Sequence, residues 1–124
     1  MYKYFNPNPE GKNTGDCTVR AISKALGRTW ENVYTALCAK GYEMSEMPDT
    51  NTVWGAYLID CGFRRHILPE TCPFCYTMAD FAEEHPEGTF ICGTGTHVVC
   101  ICDGVIWDSF DSSDKAVLYY FSKE

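Results

Sequence analysis

Cys17 stands in the segment GDCTVRAI, after the polar, glycine-containing loop KNTGD and at the head of an apolar pattern of helical period. Val19, Ile22 and Leu26 recur at i, i+3 and i+7. A thiol in the first turn of a helix meets unpaired backbone N–H groups and the positive end of the helix dipole, and both favour the thiolate. A thiolate nucleophile works with a base, most often histidine. The chain offers three. His66 follows two arginines in an expected short strand, and His85 sits in EEHPE, at what reads as a solvated helix end. His97 opens the apolar run HVVCIC after GTGT, where small residues leave the backbone open to a ligand. Cys17 and His97 therefore form the candidate nucleophile–base pair. The plainer alternatives are a small buried cysteine and a hydrogen-bonded histidine at a sheet edge.

A third group follows from strand register. Asp103-Gly104 between HVVCIC and VIWDSF predicts a two-residue type I′ turn. Cys102 then opposes Val105, Val99 opposes Asp108, and His97 opposes Phe110. Alternation puts His97, Val99 and Ile101 on one face with Ile106, Asp108 and Phe110, so Asp108 is the diagonal neighbour of His97. A carboxylate inside IWDSF is costly without a partner, and the imidazole supplies one. A three-residue turn would bring Asp111 opposite His97 instead, but Asp-Gly favours the shorter loop.

The elements that must position these groups read as helices first and strands after. Residues 1–15, rich in Asn, Pro and Gly, read as an irregular lead-in. A helix over 16–26 has Asp16 or Thr14 as N-cap and Gly27 as stop. A second runs from Trp30 to Lys40 before Gly41, and a third from Thr52 to Cys61 before Gly62. Residues 63–68 suggest a short strand, PETCPFC a turn, and TMADFAEEH a short helix closed by Pro86. Strands are expected over 89–92, 97–102, 105–110 and 116–121. The expected fold class is α+β, with N-terminal helices packed on a C-terminal antiparallel sheet in a single domain, 1–124.

Composition bounds the function. Apolar residues make up 45% of the 124 and aromatics 15%, enough for one real core. Ten basic against 17 acidic residues give a net charge of −7, which disfavours nucleic acid or an anionic membrane as partner. No apolar run approaches the ~20 residues of a membrane span. The start, MYKYFNPNPEGKN, lacks a hydrophobic signal region, so a cytoplasmic location with reduced thiols is expected for the eight cysteines. Cys72-Pro-Phe-Cys75 has the spacing of half a zinc site, but no second CxxC exists to complete it. GTGTH lacks the Lys-Ser/Thr of a phosphate loop. No cofactor or metal is expected.

The segments GDCTVRAI and THVVCICDGVIWDSFD, in that order, resemble the papain-like cysteine peptidase superfamily, most closely its compact bacterial and phage members. The order Cys17, His97, Asp108 is similar to that superfamily's Cys, His, Asn/Asp. The GDC-plus-helix segment also resembles ovarian tumour deubiquitinases, but those place the third residue almost directly after the histidine, where Val98 and Val99 do not serve. The resemblance implies a thiol hydrolase cleaving a peptide, isopeptide or other amide bond, with a peptide or protein as substrate. Many papain-like enzymes carry a Gln six residues before the cysteine as oxyanion donor. Gly11 stands there, and Asn13 is the nearest carboxamide, a candidate for that role beside the Cys17 backbone N–H. Two other readings remain open: a non-catalytic binding or inhibitory module on the same scaffold, acting on a host protein, and an acyl or amide transferase using the same triad.

Overall fold

The computed structural model describes residues 1–69 and 74–123. It is an α+β fold. In chain order the elements are β1 (Tyr2–Tyr4), α1 (Cys17–Leu26), α2 (Trp30–Met44), α3 (Asn51–Asp60), β2 (Arg64–Ile67), α4 (Met78–Glu84), β3 (Thr89–Gly93), β4 (Val98–Cys102), β5 (Val105–Asp108) and β6 (Tyr119–Ser122). The strands form one sheet in the order β1-β5-β4-β3-β6-β2.

The sheet is mixed rather than antiparallel throughout. β1 runs parallel to β5, pairing Tyr2 with Ile106 and Tyr4 with Asp108. This strand lies inside the stretch expected to be irregular. Its three residues, Tyr-Lys-Tyr, carry no apolar alternation. Backbone pairing to the β5 edge makes the strand, continued by Phe5 N–H donating to the Asp108 carbonyl at 2.7 Å.

Helices cover both faces of the sheet. Val19 and Ile22 of α1, Val33 and Leu37 of α2, and Trp54 and Leu58 of α3 bury against Ile91, Val98, Cys100, Tyr119 and Phe121. On the other face Met78, Phe81 and Ala82 of α4 pack on Cys92, Val99, Ile101 and Ile106. Alternation along β4 therefore sends Val98 and Cys100 to one core and Val99 and Ile101 to the other.

Some boundaries depart from expectation for identifiable reasons. Asp16 holds the N-cap position of α1, but its side chain makes no capping bond because it is used elsewhere. Gly27 ends α1 in the left-handed conformation, φ 64°. Gly41 does not end α2. It lies within the helix, where a Cβ would come 2.7 Å from the Glu46 carbonyl, so glycine lets the following loop fold back against the helix. The last strand begins at Tyr119 rather than 116, since Ala116 forms only an isolated bridge with Thr77. Cys72 of the CxxC pair lies outside the described residues. Among the described residues no helix is long and apolar enough to cross a membrane.

The β4–β5 hairpin has the two-residue turn. Cys102 pairs with Val105, Ile101 with Ile106 and Cys100 with Trp107. Asp103 and Gly104 sit at φ 50° and 75°, both left-handed, as a type I′ turn demands. Gly104→Val would force a β-branched residue into that region. Urea unfolding should show a loss of about 1–2 kcal/mol or more. An unchanged midpoint would mean the turn does not set the register.

Candidate active site

α1 packs chiefly on β4 and also touches β5, which brings its first residue, Cys17, to the start of β4. His97 is held there by the loop before the strand: its N–H donates to Thr94 Oγ1 at 2.9 Å, and its carbonyl accepts from Thr94 N–H at 2.8 Å. One ring nitrogen, Nε2, bonds Asp108 Oδ2 at 2.7 Å. That leaves Nδ1 as the imidazole atom not engaged by Asp108, and the ring is electrostatically coupled to the Cys17 thiol. The Phe110 ring lies 4.9 Å from the imidazole, centre to centre, on its flank. His97 thus stands between the Cys17 thiol, to which it is electrostatically coupled, and the Asp108 carboxylate, to which it is hydrogen-bonded.

The electrostatics follow from that arrangement. Burial alone would raise the Cys17 thiol. The His97 hydrogen bond, the Val98 backbone N–H and the positive charges of His97 and Arg20 outweigh it, and the thiol is held below its ordinary range. Burial pulls the His97 imidazole down, but its bonds to Asp108 and Cys17, and their negative charges, carry it up to about 9. Burial would raise Asp108 too, yet the His97 and Ser112 hydrogen bonds, the imidazolium charge and the Ser109 N–H hold it below the usual carboxylate range. All three directions favour a thiolate beside an imidazolium beside a carboxylate.

Asp108 has no solvent exposure, and donors surround it. Oδ1 accepts from Arg20 Nε at 3.1 Å and from the Ser109 N–H at 2.7 Å, and Arg20 Nη2 lies 3.1 Å from it as an ion-pair contact. Oδ2 accepts Ser112 Oγ at 2.8 Å as well as the imidazole. Arg20 is itself 4% exposed, and its Nη1 donates to Asp16 Oδ1 at 2.8 Å. The second Asp16 oxygen accepts the Trp30 indole N–H at 2.8 Å. A buried polar line therefore runs from Trp30 through Asp16, Arg20 and Asp108 to His97 and Cys17.

Sequence reasoning singled out Cys17, His97 and Asp108, which the structure brings together, and missed Arg20, Ser112 and the use of Asp16. A signal was present. It was the i, i+4 spacing of Asp16 and Arg20 alone, since Arg20 lies about 100° round the helix from Val19 and off the Val19–Ile22–Leu26 stripe.

The other candidates are placed as follows. Asp111 is exposed and turned to its own loop, where it accepts the Ser113 N–H at 3.0 Å, so the carboxylate on His97 is that of Asp108. Asn13 is exposed in the loop leading into α1 and makes no hydrogen bond among the described residues. His66 Nε2 bonds Ser122 Oγ at 3.0 Å, with its ring stacked on Tyr120. His85 is half-buried rather than solvated. Its Nδ1 donates to the Phe81 carbonyl at 2.8 Å and its ring stacks on Phe81 at 3.9 Å. Among the described residues no cluster of three or more His, Cys, Asp or Glu side chains could hold a metal ion.

No family model, no curated protein and no solved structure matches this chain.

Two outcomes are expected. At about pH 6.5 a small excess of iodoacetamide should alkylate Cys17 ahead of the other cysteines. His97→Ala and Asp108→Ala should slow it by roughly tenfold or more, the effect of about 1.4 kcal/mol on the ion pair, while Asp111→Ala and His66→Ala leave the rate within about twofold. Mass mapping of the modified cysteine decides this, and first reaction at Cys38 or Cys61 would remove Cys17 as nucleophile. Separately, Arg20→Met strands two buried carboxylates. It should cost about 3–5 kcal/mol in urea unfolding, and a neutral result would mean the Asp16–Arg20–Asp108 line does not hold the fold.

Proposed function

We propose that this chain is a papain-like thiol hydrolase acting on a peptide, isopeptide or other amide bond of a peptide or protein, in a reducing compartment such as the cytoplasm. The observation that carries the reading is a thiol at a helix N-terminus, Cys17, lowered by a His97 that is itself hydrogen-bonded to Asp108. The order of the three residues, and helices leading into a sheet whose β4 and β5 carry the base and the acid, support the papain-like assignment.

The chemistry balances on these residues. The Cys17 thiolate attacks the carbonyl carbon, and the C=O π electrons move to oxygen. The Cys17 backbone N–H, at the head of α1, is one donor to that oxyanion, and Asn13 is the candidate for the other. When the C–N bond breaks, His97 delivers its proton to the departing amine, and the acyl group remains on sulfur as a thioester. Neutral His97 then takes a proton from water. The hydroxide adds to the thioester carbon, sulfur leaves as thiolate, and the imidazolium is restored. Asp108 keeps the imidazole oriented and stabilises its charged form throughout. A binding module without turnover has no use for a thiol held ionised against a base.

The pH profile has a worked-out sign. Lowering of the Cys17 thiol keeps the nucleophile ionised below the ordinary thiol range, and raising of His97 to about 9 keeps the proton donor charged above neutrality. Amide hydrolysis should therefore be retained through neutral pH and fall as pH rises through about 9. Turnover of a fluorogenic casein or ubiquitin–amide conjugate across that range is the test, with Cys17→Ala as blank. Activity persisting in Cys17→Ala would contradict the proposal, as would activity still climbing well past the imidazole's titration.

A further inference from the structure

Tyr119 opens β6 on the sheet face that α1 covers, two strands along from the one that His97 precedes. Gly93, the last residue of β3, pairs with Tyr119 on one side and with Val98, the first residue of β4, on the other. Directly paired residues point to the same face, so the three positions form a row across the end of the sheet. The middle position has no side chain, and the tyrosine fills it. A Cβ on Gly93 would overlap Cζ and the hydroxyl oxygen of Tyr119. The ring therefore leans across β3 with its hydroxyl turned toward Val98, whose backbone N–H favours the Cys17 thiolate. Behind it the Arg65 guanidinium packs on the ring at 4.6 Å. Tyrosine and sulfur sense each other. Burial above all raises the Tyr119 hydroxyl, Arg65 acts against the rise, and the negative charge of Cys17 adds to it. The hydroxyl thus keeps its proton at neutral pH. It makes no hydrogen bond among the described residues, where the buried polar atoms left unpaired are Ser23 Oγ and Trp107 Nε1, so the Tyr119 oxygen meets solvent.

We infer that Tyr119 is a catalytic residue: its hydroxyl donates to the oxyanion formed when Cys17 attacks a carbonyl, as second donor beside the Cys17 backbone N–H. The inference rests on the hydrolase reading and assigns within it the role for which the sequence singles out Asn13. The place suits the role. The oxyanion forms on the carbon that bonds to sulfur, so its donors must border the sulfur without being the base. His97 and Asp108 approach from the β4–β5 side, and the tyrosine comes from the β6 side. The chemistry suits it as well. A hydrogen bond strengthens when its acceptor becomes charged, so a free O–H aimed at the developing oxyanion favours the transition state over the neutral carbonyl. A donor held in place beforehand needs no reorganisation when the charge appears, and Gly93 below the ring and Arg65 behind it hold this one. Asn13, by contrast, is exposed on a loop and tied by no hydrogen bond among the described residues.

Two reagents for the same sulfur separate this role from packing. With p-nitrophenyl acetate the Cys17 thiolate adds to the acetyl carbon and the C=O π pair moves to oxygen. The C=O then re-forms, nitrophenolate leaves, and the acetyl group stays on sulfur. With iodoacetamide the thiolate displaces iodide at a saturated carbon, and no oxyanion forms. Both rates are measured on the whole chain by mass mapping of Cys17. Tyr119→Phe should slow acetylation by roughly tenfold or more, toward the ~100-fold that loss of one oxyanion donor brings. It should leave the iodoacetamide rate within about twofold. Tyr120→Phe, whose ring joins Phe81 and Phe90 on the other face of the sheet, should leave both rates unchanged. Equal slowing of the two reactions in Tyr119→Phe would mean that the hydroxyl only supports the thiolate, and would overturn the inference while leaving the nucleophile standing. Unchanged acetylation would overturn it too, and a loss in Asn13→Ala instead would give the role to that residue. A Cys17 that leads with iodoacetamide but is not acetylated ahead of the other cysteines has no donor for an oxyanion, which also overturns it. No selectivity for Cys17 with either reagent would overturn the hydrolase reading beneath.

Discussion

A carboxylate stripped of water survives only if hydrogen-bond donors replace the lost hydration, and Asp108 is in that position. Its four donors come from α1 (Arg20), from the residue before β4 (His97) and from the segment after β5 (Ser109 and Ser112). Satisfying this one group therefore fixes how the first helix sits against the end of the sheet. Cys17 is carried on that helix one turn before Arg20, so the clamp that keeps Asp108 ionised also sets the sulfur beside the imidazole. The constraint is electrostatic and geometric at once: the acid that orients His97 is the acid that anchors the helix carrying Cys17.

Other parts of the fold serve the same junction. β1 adds backbone support, because the Asp108 carbonyl accepts from Phe5 N–H and from the Tyr2 hydroxyl at 3.3 Å. The type I′ turn at Asp103-Gly104 fixes the β4–β5 register by which Asp108 lies diagonal to His97, and Asp111 is left to the solvent. The helices on one face and α4 on the other bury the strands from both sides, so the polar line at the sheet end rests on a rigid base. Arg20 acts in two directions. It holds Oδ1 of Asp108 while His97 takes Oδ2, and its charge favours the Cys17 thiolate.

Much of the site was legible in the sequence because its signals are local. A cysteine after a polar loop at the head of a helical pattern, an Asp-Gly between two apolar runs and strict alternation along both strands lead to Cys17, His97 and Asp108 without tertiary information. What was not legible depends on long-range pairing. Tyr-Lys-Tyr becomes a strand only because β5 offers an edge, and Asp16 read as a helix cap because nothing local names Trp30 and Arg20 as its partners. Gly41 read as a helix stop because its signal is ambiguous: the same residue ends helices and allows close backbone approach within them. His85 read as solvated because the aromatic cluster that half-buries it is assembled from Phe81, Phe90 and Tyr120, the last far away in sequence.

The central claim is that Cys17 and His97 exist as a thiolate–imidazolium pair oriented by Asp108. Nitrogen-15 NMR of the histidine side chains reads this directly. The account predicts that at about pH 7.5 both ring nitrogens of His97 are protonated, that they titrate near 9, and that Cys17→Ala moves the titration down toward the ordinary imidazole value of about 6.5. A neutral His97 at that pH, titrating near the ordinary value whether or not Cys17 is present, would contradict it.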